Sequence, residues 1–216
     1  MRCIVSLNTI NKCALIVMLL SLLTGCFGLG SKDEDDDGSP HYYIIDVDRG
    51  VTAQSFEKGR VLRIKPVKIT SHFRGQNVVF RIDENEYQRQ MTHQFFSEPE
   101  EMFTGQVQRW LQKSGLFSQV ITDDGEADMV LEVAVTKLYG DKREQFSPQA
   151  VMEMQFFLMS ANESNQQLLF QTGLRIDIDI KETTSPKVVK GWKQGLEELL
   201  ATVEDDLSGY FSKHTP

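Results

Sequence analysis

The residues best placed to do chemistry stand at the end of an apolar N-terminal run, Leu23-Thr24-Gly25-Cys26. This is the Leu-x-Gly-Cys order of a lipobox. The chemistry needs a small residue before the cut, here Gly25. It also needs a thiol, that of Cys26, to carry a thioether-linked diacylglycerol, with a further acyl chain on the amine that cleavage frees. What precedes the box has the three-part form of an export signal. Arg2 and Lys12 supply positive charge, and residues 13–23 supply the apolar segment. Such a segment needs roughly 7–15 residues, whereas a membrane-spanning helix needs about 20. Leu23, Gly25 and Cys26 are therefore the candidate processing residues, residues 1–25 a removable signal, and Cys26 the lipid-bearing N-terminus of the mature chain. Phe27 follows the cysteine. In the enterobacterial sorting rule Asp at that position holds a lipoprotein in the inner membrane, so its absence points to the outer membrane, facing the periplasm.

No other motif carries comparable chemistry. The sequence holds no His-Glu-x-x-His, Cys-x-x-Cys, Gly-x-Ser-x-Gly or Walker pattern, so neither an enzyme nor a nucleotide site is expected. His41, His72, His93 and His214 read as lying in a linker, a turn, a loop and the C-terminal tail, without metal-ligand spacing. No cofactor or metal is expected beyond the acyl chains on Cys26. Asp177 and Asp179 project together from one strand face, but their alternation with Ile176, Ile178 and Ile180 reads as a solvated face. Trp110 and Trp192 fall on apolar helix stripes and read as core. Gly191 and Gly195 read as a close approach of a helix to a sheet. Met152 to Met159 is rich in flexible apolar side chains that adapt to varied partners. Phe157 and Met159 fall on the strand face opposite Met154 and Phe156, and are a candidate apolar contact patch for acyl chains or another protein.

The three cysteines are Cys3, Cys13 and Cys26. The signal removes two and acylation consumes the third, so no disulfide is expected and the core alone must hold the fold. The formal net charge is −8, and losing Arg2 and Lys12 takes it to −10. A nucleic-acid partner is excluded by that sign, and an anionic membrane surface would repel the chain. Attachment then rests on acyl chains, at about 0.8 kcal/mol per buried CH₂. Residues 26–41 combine Gly, Ser and the run Asp33-Glu34-Asp35-Asp36-Asp37. With almost nothing to bury, they read as a disordered acidic tether averaging roughly 20 Å end to end and reaching about 50 Å when stretched.

Residues 42–216 read as one domain. Strands are expected over Tyr42–Val47, Val61–Ile69, Asn77–Ile82 and, shorter, Glu86–Met91. In the second of these Pro66 implies an edge position or a bulge, with Val61, Val67 and Ile69 sharing one face and Leu62 and Ile64 the other. Ser97 and Glu100 form a capping box for a helix with Pro99 in its first turn. Met102, Phe103, Val107, Trp110 and Leu111 recur at helical spacing, and Gly115 stops the helix. A strand over Leu116–Ile121 follows. Asp128–Tyr139, Ala150–Ser160 and Gln167–Ile180 then alternate as an antiparallel meander with one wetted face. A last helix starts at Ser185-Pro186, with a stripe from Val189 through Trp192, Leu196, Leu199, Val203 and Leu207 to Tyr210. The fold class is α+β: a mixed, largely antiparallel sheet with two helices packed on one face.

The order of these segments resembles the ABC-type transport auxiliary lipoprotein family, the lipoprotein partners of MCE-protein systems that move lipids across a two-membrane envelope. The resemblance rests on the lipobox, the short Tyr42-Tyr43-Ile44-Ile45 strand, the Val-x-Ile-x-Pro-Val-x-Ile form of residues 61–69, Asn77-Val78-Val79-Phe80-Arg81, then Tyr87 and an aromatic, Phe95 or Phe96, opening the first long helix. It is best over residues 42–120. It implies a docking and tethering component of an ABC/MCE-type intermembrane lipid transport system. The implied partners are an MCE-family periplasmic protein and its ABC transporter, with homo-oligomerisation also implied. An outer-membrane assembly lipoprotein, such as a pore chaperone or secretion accessory, shares the same gross pattern and is the alternative.

Overall fold

The structure, a computed structural model, describes residues 38–51, 59–162 and 166–214. Nine strands and two helices follow one another along it. They are β1 His41–Tyr43, β2 Val61–Ile64, β3 Lys68–Ile69, β4 Asn77–Arg81, β5 Tyr87–Phe95, α1 Pro99–Ser114, β6 Gln119–Ile121, β7 Met129–Asp141, β8 Gln149–Ser160, β9 Leu168–Asp179 and α2 Ser185–His214.

The three long strands form the expected meander. β8 lies antiparallel between β7 and β9 in ladders that run nearly its whole length. Met152, Met154, Phe156 and Leu158 are buried, as their period of two requires. In β7 the inward set Leu131, Val133 and Val135 is interrupted by a bulge at Thr136, after which Leu138 and Gly140 face inward. The other edge of β7 takes β2, β3 and β4 in succession, all parallel to it. β2 continues in parallel to β6, while β4 pairs antiparallel with β5 and β5 parallel with β1. The sheet is therefore mixed, and its long ladders are antiparallel.

Several local expectations change. The strand foreseen over Val61–Ile69 is two strands separated at Pro66, which cannot donate to a ladder. Leu62 and Ile64 are buried before the break, Val67 and Ile69 after it. The break thus shifts the inward phase by one residue, and both halves reach the core. β2 is paired on both sides, so the proline marks a break in the strand and not a sheet edge. The first strand ends at Tyr43, and the fourth runs to Phe95. Phe95 and Phe96 therefore close β5 instead of opening the helix. Ser97 does not cap α1: Glu98 holds that position with no side-chain cap bond, and Glu100 instead pairs with Arg74 at 3.1 Å. Gly115 does end α1, in the left-handed conformation at φ 75°.

α1 and α2 touch each other and cover the same face of the sheet. Every residue of the foreseen α1 stripe is buried. The α2 stripe is buried from Val188 to Phe211, with Phe211 and not Tyr210 completing it. Trp192 fills the centre. Its ring meets Phe95 at 5.8 Å and its indole N–H donates to the Val151 carbonyl at 3.1 Å. α2 comes this close because it presents glycine to the sheet. A Cβ at Gly191 would stand 2.5 Å from that of Ala150, and one at Gly195 would meet Ile176 at 3.4 Å.

Gly191→Ala tests this approach. In an exposed helix interior alanine is favoured over glycine by about 1 kcal/mol, and Gly209, also in α2 with open space around it, is the internal control. Urea unfolding is expected to show Gly191→Ala destabilised by about 1–3 kcal/mol through overpacking, and Gly209→Ala unchanged or more stable.

Candidate functional site

Leu23, Gly25 and Cys26 lie outside the described residues, as does the tether up to Asp37. What the structure does show is the surface the folded unit, which begins at Gly38, offers to partners.

Immediately after β1 the chain crosses the helices as a strap. Ile45 and Val47 are buried, although no strand includes them. Their backbone N–H groups find side-chain acceptors on α1: Ile45 donates to the Met102 sulfur at 3.3 Å, and Val47 to Gln106 Oε1 at 3.0 Å. Gln106, itself buried, returns its amide N–H to Asp46 at 3.1 Å. Asp46 also pairs with Arg109, and Asp48 with Lys113. Arg49 reaches α2 as a two-pronged fork on Glu204, at 2.7 and 2.6 Å, and the Trp110 indole N–H donates to the same carboxylate at 2.9 Å. One carboxylate thus joins the strap and both helices. Beside it an open cavity of about 640 Å³ is lined by Arg49, Trp110, Glu197, Glu198, Glu204 and Asp205. A second, of about 610 Å³, lies at Val61, Arg63 and Asp128, and a third, of about 320 Å³, at Asp46, Asp48 and Lys113. None of these three is lined by His, Cys or Ser.

His72 lies in a turn, as the sequence suggests, but His41 and His93 are in strands and not in a linker and a loop, and His214 ends α2. His41 opens β1 and His93 is buried in β5, in register with it, and their rings stack at 4.8 Å. Tyr43 Oη lies 2.7 Å from His93 Nδ1. Among the described residues no group of three or more His, Cys, Asp or Glu is placed to hold a metal ion, and no helix is long and apolar enough to cross a membrane. Asp177 bonds to Arg175 on its own strand, and Asp179 accepts from Gln149. Both belong to a solvated face.

Phe157 and Met159 stand on the sheet face away from the helices, half-buried. Met159 lies between Val130 and Leu168 in the cross-strand row, and Phe157 between Glu132 and Gln171. Val130 is almost fully covered and Leu168 is half exposed. A small apolar row therefore crosses the outer face, beside the Lys65–Glu132 pair. Sequence reading missed a second outer-face cluster. Phe73, Tyr87 and Tyr139 meet pairwise at 5.7–5.8 Å, and Arg143 lies over Phe146 at 4.1 Å while gripping the buried Asp141. Phe73, Tyr87 and Tyr139 are separated along the chain and leave no local pattern; the β3–β7, β4–β5 and β4–β7 pairings bring them together.

Burial pushes the Asp141 carboxyl up, and the hydrogen bonds and charge of Arg143 outweigh it, so the group is held below the usual carboxylate range. Glu153 is held low in the same way, burial being outweighed by bonds from Lys137 and Thr136.

With this geometry in view, comparison with known proteins gives the class. The family model described as the ABC-type transport auxiliary lipoprotein component matches residues 42–204. The chain belongs to this family: it is an auxiliary lipoprotein component of ABC-type transport systems. Protein XCC0632 from Xanthomonas campestris shares the fold with a TM-score of 0.66 at 16% identity, over 76% of this chain and 92% of that one. A second solved structure, of an uncharacterized protein, aligns with a TM-score of 0.62 at 16% identity, over 78% and 99% of the two chains. No curated protein matches the sequence.

Two measurements check the site's energetics. Glu204→Gln keeps the shape but weakens the Arg49 fork and is expected to cost about 1–3 kcal/mol in urea unfolding. Arg49→Ala in the same background should add little, since the two share one interaction. The second concerns acid. The Asp141 carboxyl is lowered from its ordinary 3.8 on folding, so its contribution is fully present above that value and is lost as pH falls through the depressed one. Asp141→Asn should be less stable than wild type at neutral pH, and the gap should narrow as the pH drops below about 4.

Proposed function

We propose that this chain is a non-catalytic lipoprotein, acylated on Cys26, that docks an MCE-family periplasmic protein and so ties an ABC-type lipid transport system to the outer membrane. The observation that carries the reading is the position of the lipobox Leu23-Thr24-Gly25-Cys26 a short tether ahead of a domain that matches the transport auxiliary family from residue 42 onward. Acyl chains in the bilayer and a folded unit that begins at Gly38, 12 residues after Cys26, make a tethering device. The tether lets the domain stand off the membrane while raising its local concentration for a partner. Three further features fit a docking role. The cavities are shallow and open, the surface is strongly acidic, and the apolar row through Met159 with Phe157 beside it offers adaptable contact area. Energy for transport would come from the ATPase of the system, since no phosphate-binding loop occurs in this sequence.

Affinity purification of the acylated protein from detergent-solubilised membranes, with mass spectrometry of what accompanies it, is expected to recover an MCE protein with a permease and an ATPase. Recovery of an outer-membrane pore or secretion component in their place would overturn the reading. Cys26→Ser is expected to abolish palmitate incorporation and to shift the protein away from the outer-membrane fraction. Phe157→Ser and Met159→Ser together are expected to reduce MCE recovery severalfold while the domain stays folded, with the unfolding midpoint lowered because both side chains are half-buried.

A further inference from the structure

Eight large apolar side chains are exposed among the described residues. Five of them, Tyr42, Ile44, Tyr87, Met91 and Phe96, belong to β1, β5 and the residues directly after them. β1 is the edge strand on this side of the sheet. Its register with β5 sets Tyr42 beside Gln94, and the Phe96 N–H donates to the Tyr43 carbonyl at 2.9 Å, carrying the pairing past the strand ends. Alternation then puts Tyr42, Ile44 and Phe96 on one face. They are 56%, 62% and 68% exposed, whereas their neighbours Ile45 and Phe95 are buried. The Tyr42 and Phe96 rings meet edge to face at 6.1 Å.

The charge pattern of this edge departs from that of the rest of the chain. The sequence has 31 Asp and Glu residues, yet stretches 38–45 and 87–97 contain none. Arg89 is their only Lys or Arg. What this edge offers instead is aromatic rings, a phenol, aliphatic side chains, amides and hydroxyls. That is the composition of a surface lying at the boundary between lipid headgroups and acyl chains, where tyrosine is favoured for its apolar body and polar tip. An acidic face could not settle there. The edge is also where the chain arrives from Cys26, and Tyr42 follows that cysteine by only 16 residues. A flexible segment of that length spans about 20 Å on average.

We propose that the Tyr42–Ile44–Phe96 edge is a second membrane contact, which lies in the interface of the same bilayer that holds the acyl chains and so sets the orientation of the domain on it. This rests on acylation at Cys26, which delivers the edge to the bilayer and makes a weak contact sufficient. The contact is apolar, so it needs no anionic lipid. With this edge down, the opposite end of the sheet, at β9, stays in water.

The purified acylated protein is reconstituted in vesicles of phosphatidylcholine and phosphatidylethanolamine whose acyl chains carry bromine just below the headgroup. Three variants each place an indole on the surface: Tyr42→Trp, Phe96→Trp and, at the far edge in β9, Leu168→Trp. The native Trp110 and Trp192 are buried and give a constant background. Flotation reads the anchor and quenching reads the edge. The expected result is that all variants float and that the introduced indole loses most of its emission at 42 and 96 but not at 168, with no dependence on salt. Protein that floats with no quenching at 42 and 96, or with equal quenching at all three sites, overturns this contact and leaves the anchor standing. An edge covered by a second copy or by another protein would give the first of those results. Protein that does not float overturns both.

Discussion

All the other strands are joined into the sheet through β7. On one side it carries β8 and, through it, β9. On the other it takes β2, β3 and β4 one after another along its thirteen residues, with β6 joined through β2, and β5 and β1 through β4. The short strands bury too little surface to persist alone. They exist because β7 offers them a preformed row of backbone groups, and because a helix-covered face waits on the other side of their inward residues. The bulge at Thr136 belongs to the same arrangement. It shifts the inward phase of β7 so that Gly140 faces in where β4 crosses, leaving room for Phe80 and for Val188 of α2.

The covering helices are held by two different kinds of force. α2 is placed by shape: glycines at 191 and 195 let its backbone approach β8 and β9, and Trp192 fills the space beside Phe95. α1 is placed as much by polar contacts. The strap over residues 45–49 has no strand partner, so its buried N–H groups are satisfied by Met102 and Gln106. It is fastened across both helices by Arg49, Glu204 and Trp110. A buried N–H left unpaired costs about 1–3 kcal/mol, which is why a segment with no regular structure is nonetheless fixed.

The folded unit exposes surfaces of distinct chemistry. The helix side carries open cavities, one of them lined by Glu197, Glu198, Glu204 and Asp205. The outer sheet face carries an apolar row and an aromatic cluster ringed by arginines. The β1 edge is free of acid and rich in exposed aromatic area. This asymmetry arises from the order of the strands, because residues 38–45 and 87–97, far apart in the chain, form one edge.

Much of this was legible in the residues. Period-two runs identified β7, β8 and β9, and period-3.6 stripes identified both helices with their buried residues, because each pattern is local and long enough to have one reading. The lipobox is likewise local, and so is the family pattern over residues 42–120. The cap of α1, the split at Pro66 and the length of β5 were not legible, since each depends on a partner strand or helix. His93 read as a loop residue because its burial comes from β1, some fifty positions earlier. The β1 edge and the outer-face aromatic cluster were invisible for the same reason. By itself, the sequence determined which segments are helix or long strand and the sign of the net charge, both consequences of residue type and short-range periodicity. Only the tertiary structure decided which faces stay exposed and which distant residues share them. Parallel pairing leaves no turn signal between its strands, and burial is a property of what lies opposite.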